Sequence, residues 1–258
     1  MIIHPPSEIA FYIFNFPIYW YGIILALAVA VGILSAELFA KYKQIPANFF
    51  INNSPILVIF GILGARLYYC DLHLSYYLSH PLEILDIRQG GLSLHGMIFV
   101  GIVIIVLLAK KHKINTLSLL DVTACSLPLA QAVGRWGNFF NSEAFGIPTN
   151  GNWGLFIPLS QRPELYIKYE LFHPTFLYES LLNLLVFCVL FYVLKNTKRA
   201  GNVFFVYLIL YSFVRIIVEQ FRVDSALYLL SLPIAQVVSV ILFIGGIVGL
   251  SYINKKSN

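Results

Sequence analysis

Charge is what this chain has least of. Asp, Glu, Lys and Arg make up only 11% of its 258 residues, against about 25% in a soluble globular chain. A water-facing surface could not be furnished from so few polar groups. Apolar residues make up 59% of the chain, gathered in blocks near the roughly 20 residues that cross a bilayer. The class is therefore integral membrane protein. The net charge of +5 does not point to nucleic acid, because its placement follows membrane topology, as set out below. Cysteine is scarce as well. Cys70, Cys125 and Cys188 have no metal-ligand spacing and form no disulfide framework. The opening MIIHPPSEIAFYIF has no basic segment, so it does not read as a cleaved secretory leader. No cysteine follows a short apolar stretch there, so the chain is not expected to be a lipoprotein itself, and its first span is expected to stay. No internal repeat is visible, which argues against an inverted-repeat transporter.

Seven apolar segments remain, at roughly 18–40, 49–71, 91–109, 117–135, 174–194, 202–222 and 232–253. They predict an all-α membrane protein of about seven transmembrane helices, forming a single transmembrane domain over 1–258. Basic residues follow every odd-numbered span: Lys41 and Lys43, then Lys110, Lys111 and Lys113, then Lys195, Lys198 and Arg199, then Lys255 and Lys256. Positive charge marks the cytoplasmic side, which puts the N-terminus outside and the C-terminus inside. The outer segments are then 72–90, about 136–173 and 223–231. The middle one, rich in aromatics, Gly and Pro, is expected to form an ordered periplasmic cap. Arg66, Arg88, Arg135, Arg162, Lys168, Arg215 and Arg222 break the positive-inside pattern, so topology does not explain them.

Ionisable residues within a membrane are costly and mark function. On this topology Tyr21, Arg66, His95, Arg135, His173, Tyr178 and Arg215 all fall in the outer half. Tyr211, Arg215, Glu219 and Arg222 are spaced four, four and three apart, one face of a helix. That pattern reads either as a self-neutralising ion pair or as an anion site in which Glu219 orients an arginine, whose planar fork grips phosphate oxygens. GRWGNFFNSEAFG, residues 134–146, reads as a loop whose glycines permit tight turns and close ligand approach. GGLSLHG, residues 90–96, sets His95 near the start of an apolar span, as a proton acceptor or a hydrogen-bonded core histidine. No G-x-S-x-G elbow surrounds Ser93. HPTFLYES, residues 173–180, starts a helix at Pro174, with Tyr178 and Glu179 one turn in. Metal ligation is not expected.

Taken together and in this order, these elements resemble the prolipoprotein diacylglyceryl transferase family, from Trp20-Tyr21-Gly22 to Arg222. The most specific part is residues 134–146, close to the family's G-R-x-G-N-F-x-N-x-E-x-x-G pattern. The resemblance implies a seven-span inner-membrane enzyme with an external N-terminus. It moves a diacylglyceryl group from phosphatidylglycerol to the lipobox cysteine of a preprolipoprotein signal peptide, releasing glycerol phosphate. It also implies that Arg135 and Arg215 are the two essential arginines and His95 the histidine of an H-G-G motif. Asn138, Glu143 and Gly146 match the signature, and Tyr21, Tyr211 and Glu219 match further functional positions. No cofactor, metal or nucleic acid is implied; membrane lipids and the signal peptide are the partners. Two positions depart from the family: Met97 replaces the second glycine of H-G-G, and Phe176 replaces a glutamine. Because the substrate brings the nucleophile, the enzyme's tasks are to bind an anionic headgroup, favour the thiolate and stabilise the leaving phosphate. Arg135 and Arg215 suit the phosphate, and His95 is the candidate base. Glu143 and Glu219 suit orienting arginines, and Asn138, Tyr21 and Tyr211 suit hydrogen bonds to the headgroup.

The competing readings are an anion transporter, a membrane scaffold, another phospholipid-processing enzyme and an intramembrane protease. A transporter predicts polar residues through the full depth. The inner halves of most spans are instead apolar, with Glu37 and Asp121 as exceptions.

Overall fold

The computed structural model describes residues 2–87, 90–149, 151–223, 228–229 and 232–255. Arg88 and Lys256 lie outside them, as does much of the expected outer segment 223–231. Among the described residues, seven helices are long and apolar enough to cross a membrane: α1 (Trp20–Ala40), α2 (Phe49–Leu72), α4 (Leu94–His112), α5 (Thr116–Phe140), α6 (Thr175–Asn196), α7 (Asn202–Glu219) and α8 (Ile234–Lys255). A short helix, α3 (Leu74–Ser79), follows α2.

The bundle is built around α5, which packs against α1, α4, α6 and α7; α2 packs on α4 and α8 on α7. Its core holds Phe39, Leu119, Val122, Leu190, Leu194 and Val203. Where α2 and α4 cross, Gly64 and Gly96 bring the two backbones together. A Cβ on Gly96 would lie 2.2 Å from the Gly64 carbonyl oxygen and 2.5 Å from the Cβ of Tyr68. Gly96 is thus held to glycine by helix packing.

Two boundaries differ from the sequence reading, and both bear on the site. The fourth span does not end at Arg135: α5 continues through Phe140, so residues 134–140 are helix and the connecting segment begins at Asn141. Gly134 and Gly137 therefore make no turn. Gly137 makes room for a neighbour, since a Cβ there would stand 3.0 Å from the ring of Tyr21. The sixth span ends earlier than 222: α7 closes at Glu219, and Arg222 lies beyond it, bridged to Gly146.

The segment between α5 and α6 carries strands β4 (Gly154–Phe156) and β5 (Leu171–Phe172). They pair antiparallel, and β1 (Ile2–Ile3) adds to β4 in parallel. Phe145, Leu155, Ile157, Phe172 and Phe176 form a second buried cluster. Two strands, β2 (Ile9–Ile13) and β3 (Phe16–Tyr19), form a hairpin leading into α1, and β6 (Tyr228–Leu229) with β7 (Leu232–Pro233) forms another before α8.

The remaining charges sort by bundle end. Where α1 and α6 finish and α5 and α7 begin, the ammonium of Lys43 lies 2.8 Å from an Asp121 oxygen, both buried. Lys43 also donates to the carbonyls of Thr197 and Arg199. Asp121 accepts the N–H groups of Gly201 and Phe204, which α7 leaves unpaired at its start. Glu37 does the same for α2, accepting from Asn48, Phe50 and Ile51. Asp121 and Glu37, the two inner-half exceptions, are helix-start acceptors. Lys43 is buried structure and not a free basic residue.

Candidate active site

The opposite end of the bundle gathers a cluster of arginines and carboxylates. Arg135 stands five residues before the end of α5, about 21 Å along the helix from Asp121 at 1.5 Å per residue. Its Nη2 lies 2.5 Å from Oε2 of Glu179, in the second turn of α6. From α7, Nη1 of Arg215 reaches the same oxygen at 3.4 Å, while its Nη2 pairs with Glu219 at 2.8 Å, one turn along the helix. Nη1 of Arg222 stands 3.6 Å from the other Glu179 oxygen. Three arginines from two helices and a following segment thus meet one carboxylate from a third helix. Glu179 received no role from the sequence. It lay beside Tyr178 in a singled-out motif, but no local spacing shows that a glutamate on one helix will face arginines on two others.

Burial gives the cluster a direction. The carboxylates of Glu179 and Glu219 are only 4% and 2% exposed, whereas Arg135 is 26% exposed and Arg215 15%. The acids lie beneath and the cations face the open side. Two guanidiniums within about 6 Å repel by roughly 3 kcal/mol at an effective dielectric of 20, so the shared carboxylate is what lets them stand together.

The signature residues extend the cluster. Nη1 of Arg135 donates to Oδ1 of Asn138 at 3.3 Å, and Nδ2 of Asn138 donates to Oε1 of Glu143 at 2.9 Å. Glu143 therefore orients Arg135 through the amide, whereas Glu219 contacts Arg215 directly. Tyr21 opens α1 against Gly137, near enough to Arg135 and Glu143 to feel both charges. Stacking of Trp20 on Phe140 at 5.0 Å fixes that helix start. Tyr211 packs its ring 5.6 Å from that of Tyr207, whose hydroxyl accepts from Gln131.

Gly146 stands where three segments cross. Its N–H donates to the carbonyl of His173, and a Cβ would come within 2.9 Å of His173, Thr175 and the Phe221 carbonyl. Its glycine is accounted for by packing that brings Arg222 to the cluster. Phe176 is buried and stacks on Phe139 at 5.1 Å, filling an aromatic wall with Trp136. Met97 covers Gly61 of α2.

Two sequence candidates stand apart. His95 lies in the first turn of α4, exposed, with its ring 6.2 Å from Tyr68; among the described residues it makes no side-chain hydrogen bond to the arginine cluster. Arg66 is caged. All five of its N–H donors have carbonyl partners, on Glu83, Ile84, Asp86, Gly90 and Gly91, at 2.5–3.0 Å, and its guanidinium lies over the Tyr77 ring. Its break with the positive-inside pattern is explained by holding the loop before α4.

Comparison with known proteins supplies a family. Residues 8–252 match the family model described as prolipoprotein diacylglyceryl transferase. The chain is 46% identical over 240 residues to a phosphatidylglycerol–prolipoprotein diacylglyceryl transferase of Synechococcus elongatus, covering 91% of this chain and 83% of that one. A protein of the same name from Nostoc is 43% identical, covering 92% and 86%. One from Clostridium botulinum is 41% identical, covering 97% and 98%.

Proposed function

Because this chain belongs to the prolipoprotein diacylglyceryl transferase family, we propose that it moves the diacylglyceryl group of phosphatidylglycerol onto a cysteine thiol of a prolipoprotein, the first step of lipoprotein maturation. The acceptor cysteine is that of the lipobox in the signal peptide. The whole chain acts as one catalytic unit in a bacterial inner membrane, with the arginine end and the segment after α5 facing the periplasm and the C-terminus in the cytoplasm. The free lysines at the other end support that orientation.

The observation that carries the reading is the arginine cluster, cationic on its open side and buttressed by buried carboxylates beneath. An anionic headgroup approaching that side meets Arg135 and Arg215 already held. The thiol gives up its proton, and the thiolate sulfur attacks the glyceryl carbon bonded to phosphate oxygen. The new carbon–sulfur bond replaces the broken carbon–oxygen bond, and glycerol phosphate leaves with the electron pair. Negative charge grows on the phosphate as that bond breaks, and preorganised guanidiniums stabilise it without reorganising. Asn138, Tyr21 and Tyr211 suit the headgroup's remaining oxygens. His95, open at the start of α4, is the proposed acceptor of the thiol proton.

The test is transfer of a labelled diacylglyceryl group from phosphatidylglycerol to a synthetic lipobox peptide by the purified protein in detergent. The expected result is label on the cysteine peptide and none on its Cys→Ser counterpart. A folded, lipid-supplied sample that labels neither peptide contradicts the reading.

A further inference from the structure

We propose that Glu179 is the positioning residue of the anion seat: it gathers Arg135 and Arg215 on one oxygen before lipid arrives, and so fixes where the phosphate docks. The inference rests on the transfer reading above and deepens it.

Three facts support it. First, Glu179 is the common partner. Arg135 and Arg215 reach its Oε2, and Arg222 faces its Oε1. Second, its own place is fixed from both sides. One turn before it, Thr175 donates to the Ala144 carbonyl; immediately after it, Ser180 donates to the Ala132 carbonyl of α5 at 2.9 Å. The start of α6 is thereby fastened to the segment after α5 and to α5 itself, one turn from Arg135. Third, among the described residues the fastening leaves donors to spare. Glu179 and Asn138 take Nη2 and Nη1 of Arg135, and Glu179 and Glu219 take Nη1 and Nη2 of Arg215. Each of those nitrogens carries a second hydrogen. The forks are aimed without being exhausted, as a seat for phosphate oxygens requires.

Glu179 lies under the arginines, 4% exposed, so it acts through them and not on the substrate. Its neutral isostere leaves three guanidiniums against the carboxylate of Glu219. The site attracts an anionic lipid at least as well, but the arginines, no longer drawn to one oxygen, part by mutual repulsion. The interaction lost is one made in the transition state, so turnover falls while lipid KM does not rise.

The experiment measures transfer by the full-length protein in detergent as wild type, E179Q and E179D. Phosphatidylglycerol is varied at saturating lipobox peptide, and rates are referred to the monodisperse folded fraction. The expected result is a kcat about a hundredfold lower in E179Q, with lipid KM at or below that of wild type. E179D keeps the charge but withdraws it by one methylene, and its kcat is expected to fall about tenfold. Wild-type kcat in either folded variant overturns the proposal. So does a loss lying wholly in a raised lipid KM, which marks an ordinary binding contact. If neither variant folds, Glu179 is a counterion of the fold and the positioning role fails. A wild type that transfers nothing contradicts the transfer reading itself, visibly in the control, and takes this proposal with it.

Discussion

His95 and Arg135, proposed for the thiol proton and the lipid phosphate, stand in different surroundings. Arg135 is fixed by Glu179 and Asn138, whereas His95 stands exposed on α4 with a tyrosine ring beside it. A base that takes the thiol proton must reach it, and at the start of α4 His95 is open to an arriving peptide. His95→Gln is expected to lower kcat about a hundredfold, measured in the transfer assay. A folded variant that keeps the wild-type rate assigns the proton to another group. At this scale the sequence was legible where partners share a helix. Arg215 and Glu219, four apart, announced their pair. Glu179 was illegible because its partners come from other elements, and helical spacing carries no record of a helix's neighbours. Arg66 misled for the same reason: from the sequence it was another unexplained cation, and only the returning loop shows its five carbonyls.

Glycine decides much at the scale of elements. The sequence reading gave the glycines of residues 134–146 to turns, the commonest use of glycine clusters. The structure gives Gly137 to the contact between α5 and α1, and Gly146 to a three-way crossing. Helical glycine in a membrane bundle lets backbones approach, and a loop reading based on composition misses this. Gly96 follows the same rule where α2 crosses α4. Gly96→Ala must push the helices apart, because its Cβ would meet a backbone oxygen at 2.2 Å. The expected cost is about 1–3 kcal/mol, read as a lower midpoint of thermal unfolding in detergent, together with a reduced kcat because α4 carries His95. An unchanged midpoint contradicts the tight crossing. The strands after α5 were not legible at all. They are two or three residues long, and one pairs with Ile2–Ile3 from the other end of the chain.

Across the whole molecule, charge is divided between two ends with different tasks. The seven spans followed from the length and apolarity of the segments, which a bilayer makes nearly decisive. The division of labour did not, because Asp121 and Glu37 look as costly in sequence as the arginines do. In the structure both cap helix starts, which removes the polar pathway that a transporter needs. The Lys43–Asp121 end is expected to serve stability alone. Asp121→Asn leaves a buried ammonium without its partner, at about 3–5 kcal/mol. The prediction is a markedly lower unfolding midpoint with kcat unchanged in the folded fraction, measured by parallel melting and transfer assays. A folded variant with altered kcat contradicts the separation of the ends. The central claim is that the arginine end seats the lipid phosphate during transfer, and its most direct measurement is single-turnover transfer from labelled phosphatidylglycerol to the lipobox peptide by wild type and Arg135→Lys. Lysine keeps the charge but loses the planar fork. Folded Arg135→Lys is expected to be slower by about a hundredfold or more; transfer at the wild-type rate would mean that the arginine fork does not seat the phosphate.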